Sequence, residues 1–155
     1  MKNILTFLVI IITTFLISCK KEPVNTTIVS MKVDIAYQDV SGTDLLNPAS
    51  PNHFSADSIH VYNVVDGVKE ERYYSNLDNP TLWDITKPDS SNNYYLRVDV
   101  ETDTTIIALN KTISPDTLSC SIDRDHGNFI ITKVWYNGDL KWSDNMTPRE
   151  FVITR

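Results

Sequence analysis

From Thr27 to Gln38 the chain alternates, with a large apolar side chain at every second position from Val29 to Tyr37. Val29, Met31, Val33, Ile35 and Tyr37 fall on one side, and Ser30, Lys32, Asp34, Ala36 and Gln38 on the other. A repeat of two residues is a half-buried β-strand, because successive side chains of an extended backbone point to opposite faces. No segment sustains the helical repeat of about 3.6 residues. Only four alanines occur, so the best helix former is scarce, whereas the Thr, Val, Ile and Tyr that suit a pleated surface are abundant. The chain is built to fold as β-structure.

Turn chemistry divides it into strands. Asp66-Gly67 between Val65 and Val68, and Asn137-Gly138 between Tyr136 and Asp139, are two-residue hairpin signals, since a type I′ turn needs positive φ at both central positions. Further strands are predicted over Ser58–Val65, Val68–Tyr74, Tyr94–Glu101, Thr104–Ile113, Leu118–Asp123, Asn128–Tyr136 and Phe151–Ile153. Thr102-Asp103 is read as the turn of a hairpin, and Arg124–Gly127 closes another. Lys69, Glu70, Glu71 and Arg72 charge both faces of one strand, which suits a sheet edge. The connection from Asp39 to Asp57 exceeds the usual length and is either packed or functional. About eight or nine short strands at this spacing predict an immunoglobulin-like or transthyretin-like antiparallel β-sandwich over residues 28–155, with a small β-barrel as the alternative.

The first residues are of another kind. Lys2 precedes an apolar run from Ile4 to Ile17, interrupted only by Thr6, Thr13 and Thr14. The run is short of the roughly 20 residues that span a bilayer and fits a secretory leader over residues 1–18. It ends in Leu16-Ile17-Ser18-Cys19, which resembles the lipobox of bacterial lipoproteins. The resemblance implies cleavage between Ser18 and Cys19, a thioether-linked lipid on Cys19 and acylation of the new amino terminus, with residues 19–27 as a tether. Lys20, Lys21 and Glu22 follow, without the Asp that would signal inner-membrane retention. The cluster is similar to export signals of Bacteroidota surface lipoproteins. A lipid-anchored protein of the outer membrane is therefore expected, on its periplasmic or its surface face. Loss of Lys2 takes the basic count from 14 to 13 against 20 acids, leaving a formal charge of −7.

The chemistry of the remaining chain is sparse. An acidic sequence with a pI near 4.9 does not suit a phosphate backbone, so no nucleic-acid partner is expected. With Cys19 taken by lipid, Cys120 has no disulfide partner. It alternates with Leu118 and Ile122 and is read as a core thiol. Asp99, Glu101 and Asp103 alternate into a turn, and Asp123–Asn128 partly matches a calcium loop, yet neither supplies the six to eight oxygens that calcium takes. No G-x-S-x-G, H-E-x-x-H or glycine-rich phosphate loop occurs, and no cofactor is expected.

The Asn137-Gly138 hairpin sets Tyr136 opposite Asp139, Trp135 opposite Leu140 and Lys133 opposite Trp142. This parity assigns Phe129, Ile131, Trp135, Leu140 and Trp142 to one face, the expected core, and Ile130, Val134 and Tyr136 to the other. Tyr136, with Trp83 or Trp142, is the candidate platform for stacking on a sugar ring. The functional expectation is a non-catalytic binding or accessory module whose partner is a glycan or an envelope protein. A small hydrolase using paired carboxylates and a structural assembly part are the alternatives.

Overall fold

The computed structural model describes Thr27 and residues 29–155. The expected leader, residues 1–18, and the tether from Cys19 to residue 26 lie outside the described residues. The described residues form an all-β structure of two sheets. The larger contains β1 (Val29–Ser30), β9 (Phe129–Tyr136), β8 (Asp116–Asp123), β7 (Thr104–Ala108), β3 (His60–Val65) and β4 (Val68–Glu71) in that spatial order, with β10 (Asp139–Ser143) also paired to β9. The smaller runs β11 (Glu150–Thr154), β2 (Lys32–Gln38), β6 (Tyr95–Asp99), β5 (Trp83–Thr86). Both sheets end in edges, so this is a β-sandwich and not the alternative barrel. It is not purely antiparallel: β1 runs parallel to β9, and β11 parallel to β2.

The two parallel pairings arise where the chain changes sheets. The alternation from Val29 to Gln38 is continuous, but Met31 lies between two strands with different partners, β1 on β9 and β2 on β6 and β11. A second crossing replaces an expected hairpin. The runs on either side of Thr102-Asp103 are β6 and β7, which belong to opposite sheets, so the segment Val100–Asp103 passes between them. The two glycine turns form as expected. Asp66 and Gly67 have φ of 50° and 78°, Asn137 and Gly138 of 51° and 89°, and β4 is an edge strand with all four residues exposed.

The core lies between the sheets. Val33, Ile35 and Tyr37 of β2 and Leu96 and Val98 of β6 meet Val61, Ile107, Leu118, Ile131 and Val134 of the larger sheet, all essentially inaccessible. The long Asp39–Asp57 connection is packed. Its Leu45, Leu46 and Phe54 are buried, and burying each such side chain contributes about 1.5–3 kcal/mol. Two acids tie its backbone down. Asp39 accepts from the amides of Ser41 and Thr43 at 2.8 and 2.9 Å, and Asp44 from those of Leu46 and Tyr94 at 2.8 and 2.7 Å.

Candidate binding clefts

Two bulges decide which aromatic rings reach the surface. The hairpin register begins as expected, Tyr136 opposite Asp139 and Trp135 opposite Leu140, but Lys141 is an extra residue and Trp142 pairs with Val134 instead of Lys133. On the other side of β9, Ser121 faces Lys133 and Ile122 faces Ile131, so Thr132 is extra. Each added residue reverses the side-chain parity beyond it. Ile131, Val134, Tyr136 and Trp142 are all buried, whereas Leu140, assigned to the core by simple alternation, is 56% exposed; Phe129, also assigned there, keeps the side of Ile131 but is 43% exposed at the strand's end. Trp135 is half-buried on the outer side.

The expected aromatic platform is therefore not assembled. Tyr136 and Trp142 are 2% and 4% exposed, and Trp83 is half-buried against the core on the edge strand β5. The structure joins Tyr136 to a buried polar chain instead. Its hydroxyl lies 2.9 Å from that of Tyr37. Asp116, 2% exposed, accepts from Asn137 Nδ2 at 2.7 Å and from the guanidinium of Arg155. Burial pushes both phenols up from their ordinary range, so they act as hydrogen-bonding groups and not as bases.

This chain floors a polar cleft of about 390 Å³ between the edges β10 and β11, rimmed by Asn137, Asp139, Lys141, Thr154 and Arg155. A second cleft, about 320 Å³ and mainly apolar, lies under the long connection, where Leu46, Phe54, Ile85 and Tyr94 enclose it and His53 stands at its rim. Lys87 sits over the Tyr94 ring at 5.3 Å. A third, about 230 Å³, lies between Val29, Met31, Lys32 and Asp99.

These openings divide between the two ends of the sandwich. β9 starts at Phe129, opposite Val29, and ends at Tyr136 beside the Asn137-Gly138 turn. At about 3.3 Å per residue the two ends stand some 23 Å apart. The first cleft is at the Tyr136 end, and so is the second, because the long connection leaves β2 after Gln38. The chain enters at the Phe129 end, where Thr27 Oγ1 lies beside Gly127.

The other sequence candidates are dispersed. Glu101 accepts from Asn63 and Tyr74 at 2.7 and 2.9 Å, and Asp103 pairs with Arg124 at 2.8 Å. Burial raises the Asp99 carboxyl above its ordinary range, opposed by Lys32 at 4.0 Å. Asp123 accepts from the amide of Asp125, a turn contact. Among the described residues no three His, Cys, Asp or Glu side chains converge as metal donors. Arg72 is a correction: read as edge-strand charge, it is 3% exposed. No signal in Lys69-Glu70-Glu71-Arg72 separates it from its neighbours.

Cys120 is buried and unpaired by disulfide, as expected for a core thiol. Burial pushes its pKa up to about 12, against the opposing field of Arg149. The thiolate is the reactive form. A disulfide-exchange reagent at pH 8 is thus expected to leave Cys120 untouched in the folded protein and to modify it on unfolding. Rapid modification of the native state would contradict the assignment.

No protein-family model, curated protein or solved structure matches this chain.

Proposed function

We propose that the protein is a lipid-anchored module of the bacterial cell envelope, held at the outer membrane through Cys19, that binds a partner without transforming it. The observation that carries the reading is the polarity of the sandwich. The chain from the lipobox enters at the Phe129 end, and clefts of about 390 and 320 Å³ open at the Tyr136 end. A tether at one end and clefts at the other suit a module that presents a binding surface away from the membrane. The polar cleft, with amide, hydroxyl, ammonium and carboxylate groups around its rim, offers the mixed hydrogen bonding that a glycan or a polar loop of an envelope protein requires. The partner is a glycan or such a protein; the anchor needs two or three acyl chains, because one chain binds only marginally.

The test is palmitate incorporation in a bacterial host. The full chain is expected to take up label and to partition with membranes, and Cys19→Ala to lose both. Thiol counting gives a second reading of the same question. The unfolded lipoprotein should expose one thiol, that of Cys120, because the sulfur of Cys19 is held in a thioether. Equal labelling of the wild type and Cys19→Ala, or two free thiols, would defeat the proposal.

A further inference from the structure

We propose that the end of the sandwich where the chain enters is itself a lipid-contact surface, so that the domain rests on the membrane instead of swinging freely from its anchor. The inference rests on the lipid-anchor reading and adds an orientation to it. Val29 and Phe129 are partners in the β1–β9 register, so their side chains are neighbours. They are 68% and 43% exposed. Phe129 shares its side of β9 with Ile131, which is fully buried, so the apolar column of the core continues past its covered part and surfaces at this end. Met31 and Ile122, both partly buried against the core, lie behind it. The 230 Å³ notch between Val29, Met31 and Lys32 opens beside the pair and offers room for part of an acyl chain or a headgroup.

The occupant is argued from the length of chain that precedes this end. Eight residue steps separate Cys19 from Thr27, and at no more than about 3.6 Å each they reach at most some 29 Å. Val29 is two residues further on. The exposed pair therefore stays within about 36 Å of the bilayer that holds the lipid, and it is the part of the domain next to the tether. Two or three apolar side chains would not retain a free protein on a membrane. On an anchored one the contact is intramolecular, with an effective concentration on the order of millimolar. Charge does not drive the contact. Asp123 and Asp125 flank Arg124 at this end, and Arg124 is paired with Asp103, so a zwitterionic surface is the appropriate one.

The experiment uses the lipidated full chain with single cysteines introduced at Phe129, at Val29 and, as the opposite-end control, at Ser90, each carrying an environment-sensitive fluorophore. Cys120 is too buried to compete for label. With phosphatidylcholine vesicles, labels at 129 and 29 are expected to shift to the blue and to be quenched by brominated acyl chains, while the label at 90 does neither. Co-flotation with vesicles is measured in parallel for wild type and Cys19→Ala. Flotation that needs Cys19, with all three labels equally wet, overturns the contact surface and leaves the anchor standing. Flotation that ignores Cys19 overturns the anchor and the surface with it. A label at 129 already shielded in vesicle-free Cys19→Ala protein means that residues 20–26 or a second copy cover the patch, and this also overturns the proposal.

Discussion

Replacing Arg72 by leucine is expected to cost about 3–5 kcal/mol of folding stability, the range for breaking a buried charged group away from its partners. The side chain leaves the end of β4 and turns inward, where Nε donates to Asn63 Oδ1 at 2.7 Å, Nη2 to Thr105 Oγ1 at 3.0 Å and Nη1 to the carbonyl of Asp99. Asn63 and Thr105 are 7% and 0% exposed. Leucine fills part of the volume but orphans three acceptors that water reaches poorly, and the unpaired groups dominate the loss. Burial lowers the affinity of the guanidinium for its proton, while Glu101 at 3.9 Å works in the opposite direction. A guanidinium stays protonated in proteins, so the charge persists and must be held.

Position explains why this arginine matters more than its neighbours. Asp99 is the last residue of β6, and Thr105 follows the crossing to the larger sheet, so one guanidinium grips both ends of the Val100–Asp103 passage. Urea denaturation is the measurement. The midpoint should fall with the slope unchanged, and Arg72→Lys should recover little, since an ammonium cannot reproduce three donors in a planar fork. A loss below about 1 kcal/mol would mean that water replaces the guanidinium, and that the crossing does not depend on it.

The same crossings mark where the sequence stops being informative. Alternation reports which way side chains point, and it holds through Val33, Ile35 and Tyr37, which are all buried. It is silent about hydrogen-bond partners, so the change of sheet at Met31 leaves the pattern intact. Thr102-Asp103 between two alternating runs has the chemistry of a hairpin turn, and the same residues serve a passage between sheets. Asp66-Gly67 and Asn137-Gly138 are legible because positive φ at two successive positions restricts both residue type and geometry. The bulges at Thr132 and Lys141 impose no such residue requirement, and each reverses a face. The Tyr136–Asp116–Arg155 chain is unreadable for that reason: with parity reversed, a tyrosine assigned to an outer face lies in the core, and its partners come from distant strands.

Arg149 performs at the β1–β2 crossing the task that Arg72 performs at the β6–β7 crossing. Its Nη1 donates to the carbonyls of Ser30 and Lys32, both at 3.0 Å, and Nη2 to that of Ile131 at 3.1 Å. The guanidinium lies over the Trp142 ring at 4.5 Å. One side chain thus fastens the residues on both sides of Met31, where β1 gives way to β2, to β9 of the larger sheet. Arg149→Met is expected to cost about 2–4 kcal/mol, less than Arg72 because the site is half-buried and water can reach some of the freed carbonyls. The loss should be local before it is global. Amide exchange at Ser30 and along the Phe129 end of β9 should accelerate ahead of exchange at Ile107 and Leu118, because β1 is two residues long and has few other ties. Uniform acceleration across the larger sheet would show that Arg149 supports the whole sandwich and not the crossing alone. That distinction bears on the Phe129 end of the sandwich, since Val29 keeps its place beside Phe129 only while β1 stays paired.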